Sequence, residues 1–173
     1  AMYDESSAIV FFGGAGVSTE SGIPDFRSVD GLYSQKWEYS PEEIVSRKFF
    51  DKNKKEFFRF YREKFIIKNV EPNAAHIALA QMEAKGKLKA IVTQNIDGLH
   101  QKAGSKNVFE LHGSTLRNYC MNCHKSFDIS YIEDASKDYP VCDECGGIVK
   151  PDVVLYEESL DENCIEGAVK AIS

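Results

Sequence analysis

At 173 residues, 43% hydrophobic and 28% charged, the chain is long enough to bury one real core, with room for a small insertion. Twenty-one lysines and arginines against 27 aspartates and glutamates leave a net charge of −6, which argues against a protein whose main work is neutralising nucleic-acid phosphates. No run approaches the roughly 20 apolar residues of a membrane span, and the opening Ala1-Met2-Tyr3-Asp4-Glu5 has neither the basic nor the apolar stretch of a secretory signal, so a cytoplasmic protein is expected.

Ala8-Ile9-Val10-Phe11-Phe12 is an unbroken apolar run that stops at Gly13-Gly14-Ala15-Gly16, the pattern of a strand buried on both faces of a parallel sheet and followed by a glycine turn. From Pro41 to about Ile67, Phe58, Tyr61 and Phe65 recur at helical spacing and predict a helical section with its aromatics in a core. Asn73 is placed to cap a helix whose apolar stripe is Ala74, Ile77, Ala78 and Met82, with Gly86 just beyond Lys85 as terminator and His76 as a structural passenger. Ala90-Ile91-Val92-Thr93 and Val108-Phe109-Glu110-Leu111 are the next strand-like runs, ending at Gln94-Asn95-Ile96-Asp97-Gly98 and at His112-Gly113. Val153 to Tyr156 reads as extended, and Asp161 caps a last helix in which Cys164, Ile165, Ala168, Val169 and Ile172 share one apolar face. Strands alternating with helices predict an α/β fold, a Rossmann-like parallel sheet with helices on both faces.

Four of the five cysteines fall as Cys120-x2-Cys123 and Cys142-x2-Cys145, the spacing of a four-thiolate zinc site. Each C-x-x-C turn aims two sulfurs at one point, and four sulfur ligands leave no open position, so the metal is expected to be structural, in a small zinc-ribbon-type module. Two redox disulfides are the competing reading. Cys164 is read as a small buried apolar residue.

In an open α/β sheet, ligands bind outside the carboxyl ends of the strands, and three polar loops here follow strand-like runs: Gly13 to Gly16, Gln94 to Asp97, and His112-Gly113. Gly14-Ala15-Gly16 alone suits either a pyrophosphate loop or a tight turn; the third glycine of a G-x-G-x-x-G fingerprint falls at Thr19, which disfavours an ordinary hydride-transferring dehydrogenase. Taken singly, Asn95 and Asp97 could merely cap a short helix, Arg27 could be a surface ion-pair residue, Phe26 ordinary core, and Val154 and Tyr156 a plain buried strand.

The longer string Gly14-Ala15-Gly16-Val17-Ser18-Thr19-Glu20-Ser21-Gly22-Ile23-Pro24-Asp25-Phe26-Arg27-Ser28 closely resembles the sirtuin family of NAD-dependent protein deacylases. Thr93 to His100, Glu110-Leu111-His112-Gly113-Ser114, the paired cysteine knuckles and Lys150 to Tyr156 match that family's later motifs in order, over about Ile9 to Tyr156, in a bacterial-type member. The resemblance implies a cofactor loop at Gly14, Ala15, Gly16 and Ser18, a closing segment at Asp25, Phe26 and Arg27, and ribose and nicotinamide contacts from Gln94, Asn95, Ile96 and Asp97. It implies His112 as catalytic base and Asn95 as a second catalytic residue. It also implies that Val154 and Tyr156 bind the substrate by strand addition.

The implied reaction transfers the acyl group of an acetyl-lysine protein or peptide to ADP-ribose and releases nicotinamide. Attack of the acyl oxygen on the ribose carbon is followed by His112-assisted deprotonation of a ribose hydroxyl, a task suited to an imidazole. An ADP-ribosyltransferase or NAD hydrolase using the same site, and a non-catalytic zinc- and nucleotide-binding regulatory fragment, are the alternatives. Neither nucleic acid nor a membrane is expected as a partner. The domains expected are a Rossmann-like core over 8–117 with a helical insertion at about 41–70, the zinc module over 118–148, and a return to the core over 149–173. Two local departures stand out: Gly13 replaces a customary Thr or Ser, and Glu157 replaces a customary Gly and is expected to place a carboxylate near the substrate groove. Family cores also continue past the position of Ser173 through further loops on the adenosine side, so an incomplete core is expected.

Overall fold

The computed structural model describes residues 5–6, 8–25 and 38–173. In chain order the elements are β1 (Ile9–Gly13), a 3-10 helix (Ala15–Ser21), α1 (Pro41–Ile44), α2 (Arg47–Lys52), α3 (Lys54–Lys64), α4 (Ala74–Ala84), β2 (Leu88–Thr93), α5 (Leu99–Lys102) and β3 (Val108–Glu110). There follow β4 (Gly113–Cys120), β5 (Ser126–Phe127), α6 (Ile129–Glu133), β6 (Val149–Val153) and α7 (Glu162–Ile172). None of the described helices is long and apolar enough to cross a membrane.

One compact unit joins the described residues up to Asp25 with Asn69–His112 and Leu160–Ser173. Its sheet is parallel with strand order β1-β2-β3. Register partners share a face, so Phe11, Ile91 and Val108 lie on one side and Phe12, Val92 and Phe109 on the other. Helix α4 covers the first side, where Leu79 meets Leu88 and Ile91 and is joined by Ile9, Phe11, Met82 and Val108. Helix α7 covers the second, and it comes close to β3 because Gly167 leaves room for the Phe109 ring; a Cβ there would lie 2.4 Å from a ring carbon.

Two expectations change in this unit. The buried residues of α4 are His76 and Leu79, while Ala74, Ala78 and Ile77 (45% exposed) face outward. The helix is apolar almost all round, so several stripes compete, and the inward turn of His76 within the capping box with Asn73 selects among them. Strand β1 is not buried on both faces, since it lies at the sheet edge and Phe12 is 58% exposed. The apolar face expected on α7 is present and largely uncovered among the described residues: Ala168 is buried and Cys164 partly so, while Ile165, Val169 and Ile172 are exposed.

The second unit comprises residues 38–68 and 113–159. Its antiparallel sheet has the order β5-β4-β6, with β4 running against β6 from Gly113 opposite Val153 to Cys120 opposite Val149. The helical section breaks into three short helices because Ser40, Ser46 and Asn53 each accept a backbone N–H and begin a new one. Phe50, Phe57, Phe58, Phe60 and Tyr61 are fully buried, with Phe50 on Phe57 and Phe57 on Phe58 edge to face at 4.9 and 5.2 Å.

Arg62 joins α3 to the chain around α6, donating to the carbonyls of Ile132, Asp134, Lys137 and Asp138. Residues 113–117 and 149–159 group with the cysteine-bearing segment and the helical section, since β4 and β6 pair along most of their length.

Candidate functional site

Gly13 pairs with Thr93 and Thr93 with Glu110, so three chain segments leave the carboxyl edge of the parallel sheet at one level. The Gln94 N–H donates to the Gly13 carbonyl at 3.0 Å, bringing the first two loops together. Gly14, extended at φ −140°, opens the 3-10 helix without a side-chain cap, and a Cβ on it would come within 3.2 Å of Gln94 Oε1. The N–H groups at the start of that helix have no intrahelical acceptors, which is the donor set a phosphate takes. Gly22, at φ 88°, ends it.

Ser18 is the hub beneath this loop. It is fully buried; its hydroxyl donates to Asp97 Oδ2 at 2.7 Å and accepts from Asn95 Nδ2 at 3.0 Å. His76 Nε2 lies 3.4 Å from the same oxygen, while His76 Nδ1 accepts the Asn73 N–H at 3.2 Å. A neutral imidazole has one N–H, so the Asn73 bond places it on Nε2, aimed at Ser18. The remaining Asp97 oxygen accepts the Leu99 N–H at 2.9 Å, and Thr93 Oγ1 accepts that of Asn95 at 3.0 Å. Asp97 therefore caps α5 and fixes Ser18 at once.

Behind this layer His100 is buried between Phe11 (5.9 Å) and His76 (4.8 Å, edge to face), and neither of its ring nitrogens has a hydrogen-bond partner among the described residues. Burial, with the neighbouring His76 adding to it, pushes its pKa down to about 4; burial lowers that of His76 too.

The third loop carries His112, partly buried, one residue after the Leu111 N–H closes the ladder on the Thr93 carbonyl at 2.9 Å. Gly113 follows at φ 78°, where a Cβ would lie 1.9 Å from the Asp152 carbonyl oxygen, so this position admits only glycine. Ala15, Asp25 and Ile96 are partly buried and Gly16 and Gln94 exposed; Phe26 and Arg27 lie outside the described residues. Ser18, Asn95 and Asp97 are thus brought together. His76 is structural as expected, but its contact with Ser18 and the buried place of His100 are what sequence reasoning missed, although the Asn73-x-x-His76 spacing carried the capping-box signal.

In the second unit the four ligand sulfurs of Cys120, Cys123, Cys142 and Cys145 lie within 4.8 Å of one another. The Cys120–Cys145 and Cys123–Cys142 separations are 3.3 and 3.7 Å, against about 3.8 Å for the edge of a tetrahedron with 2.3 Å bonds. The Cys123 and Asn122 N–H groups point at Cys120 Sγ and favour its thiolate. This donor set fits a tetrahedral metal.

Val154 is partly buried, and Tyr156, 48% exposed, spends its own backbone on the α1–α2 connection: its N–H donates to Val45 and its carbonyl accepts from Arg47, at 3.0 and 2.9 Å. Glu157 has φ 75°, and its carboxylate accepts the Lys48 N–H at 3.0 Å in the first turn of α2. That carboxylate is a helix cap and does not add a loose charge to a groove. The other departure has a steric reason as well, because a Cβ at Gly13 would lie 2.4 Å from the Phe11 ring that packs on His100.

The chain matches the Sir2 family over residues 14–173. It is 66% identical over 171 residues to an NAD-dependent protein deacetylase of Clostridium acetobutylicum, covering 98% of this chain and 70% of the relative. The protein of the same description from Clostridium perfringens is 65% identical over 170 residues, covering 97% and 69%. Among solved structures, a Sir2 complex with deacetylated p53 peptide and 3′-O-acetyl ADP ribose superimposes with a TM-score of 0.90 at 39% identity, covering 98% of this chain and 69% of that one. Sir2 with a p53 peptide and NAD+ gives 0.86 at 40%, covering 98% and 68%. Close sequence identity and shared architecture agree along nearly the whole length, and the chain belongs to the Sir2 family.

Proposed function

We propose that the protein is an NAD-dependent protein-lysine deacetylase, acting in the cytoplasm, that moves the acyl group of an acetyl-lysine peptide to ADP-ribose with release of nicotinamide. The observation that carries this is the Ser18–Asn95–Asp97 cluster at the carboxyl edge of the sheet, with the glycine loop above it and His112 on the adjoining loop. When bound, NAD supplies an electrophilic ribose carbon and the ribose hydroxyls. Gly14, Ala15, Gly16 and Ser18 hold its phosphate side, with Asp25, Phe26 and Arg27 closing over it. Gln94, Asn95, Ile96 and Asp97 orient the ribose and the amide, and His112 accepts a hydroxyl proton as general base. Val154 and Tyr156 receive the peptide. Cys120, Cys123, Cys142 and Cys145 hold one Zn²⁺, which shapes the second unit and takes no part in the chemistry.

The test is product analysis with the full-length protein, an acetyl-lysine peptide and NAD. Nicotinamide, free lysine and O-acyl-ADP-ribose in equal amounts are expected. Nicotinamide released without peptide would point to an NAD hydrolase, and no turnover to a binding module.

A further inference from the structure

Resting on the reading that the segment around Val154 and Tyr156 receives the peptide, we propose that Glu158 is a positioning residue for that segment, held between Arg47 and Lys150. Glu158 Oε2 accepts the Leu155 N–H at 2.9 Å, and the Glu158 N–H returns to the Leu155 carbonyl at 3.0 Å, so the turn is closed twice. The carboxylate, 18% exposed, meets Arg47 Nη1 through Oε1 and Lys150 Nζ through Oε2, both at 3.1 Å. Lys150, 14% exposed, also donates to the carbonyls of Pro151 and Val153 at 3.2 and 2.9 Å and so ties the end of β6 to the same carboxylate.

Along the next residues Tyr156 is bonded to Val45 and Arg47, and Glu157 to Lys48. Every residue from Leu155 to Glu158 is thus anchored, and among the described residues the Glu158 side chain is the one that joins β6, the turn and α2. Burying two opposite charges adds little net stability, because desolvation offsets their attraction. What the network does fix is where Val154 and Tyr156 stand, and a peptide adding along this edge depends on that placement. Burial pulls the Lys150 pKa down while Glu158 opposes the fall, so the ammonium depends on this carboxylate.

Steady-state kinetics and peptide anisotropy on the full-length protein test the proposal. Glu158→Gln keeps an oxygen for Leu155 but releases both cations; peptide KM and Kd are expected to rise about five- to tenfold, with kcat and the KM for NAD within about twofold. Arg47→Gln, at the more exposed partner, raises peptide KM about twofold. Since Glu158→Gln strands a buried ammonium, a second variant combines it with Lys150→Met; the uncharged pair is expected to melt with the wild type and still bind peptide weakly. Wild-type peptide KM in either Glu158 variant overturns the proposal, as does a loss spread equally over kcat and the KM for NAD, the mark of a general structural role. A wild-type protein that binds no peptide fails before any substitution is made, and removes both this inference and the function on which it rests.

Discussion

Ser18 shows how much one buried hydroxyl can organise. Ser18→Ala leaves the Asn95 amide and one Asp97 oxygen without their buried partner, an expected cost of about 1–3 kcal/mol together with weaker NAD binding, measured by denaturant unfolding and by titration. Gly113→Ala is expected to cost more than Gly146→Ala. Both glycines have positive φ, but only at Gly113 does the new methyl collide with backbone. Comparable melting temperatures for the two variants would contradict that account.

The histidine pair sets a pH limit. Both folded pKa values lie below the ordinary 6.5, so the unfolded chain binds the extra protons; the stabilisation is complete above about pH 6.5 and is lost as pH falls towards 4. For His100 alone this is on the order of 3 kcal/mol. His100→Leu should flatten the unfolding free energy between those limits, and an unchanged pH profile would show that His100 does not carry it.

Among the elements, the parallel strands and the loops after them were the most legible, whereas β4 carried no strand signal and β6 lies mostly ahead of the extended run expected from Val153 to Tyr156. The run ending at Phe12, the turn at Gly14 and the cap at Asn73 follow from local chemistry that no packing overrides. What could not be read was rotation and grouping. Helix α4 hides His76 where an alanine stripe was expected, because a helix apolar on all sides needs its neighbours to choose a face. The bonding of Arg62 to four carbonyls of the 132–138 segment likewise joins residues about 70 positions apart with no local signal. The cysteine spacing was legible because metal geometry is local to each knuckle.

Metal analysis should find one zinc per chain. Cys120→Ser should release it and melt the second unit, and Arg62→Ala should speed zinc loss to a chelator while leaving the four thiols in place. A folded protein with under about half an equivalent of zinc would refute the site.

At the scale of the molecule, the parallel sheet brings three loops to one edge, while the antiparallel unit carries the four-cysteine cluster and the segment proposed to take the peptide. That Ser18, Asn95 and Asp97 come together was available from the motifs. The reason those residues hold their places, a proton pattern running from Asn73 through His76 and Ser18 to Asp97, was available only from the fold.

The acyl group accepted should be neutral: the family resemblance implies a carboxylate-gripping Tyr-x-x-Arg pair in this helical section for members that take succinyl-type acids, and here the residue three beyond Tyr61 is Lys64. A higher kcat/KM on succinyl-lysine than on acetyl-lysine peptide would contradict this.

The most direct test of the central claim pairs two readings on His112→Ala in the full-length protein: the thermal shift given by NAD and the rate of acyl-ADP-ribose formation from an acetyl-lysine peptide. The NAD-induced shift should stay close to that of the wild type while the rate falls about 10²–10⁴-fold, the usual contribution of a positioned general base. Turnover near the wild-type rate would make His112 a structural residue and contradict the mechanism.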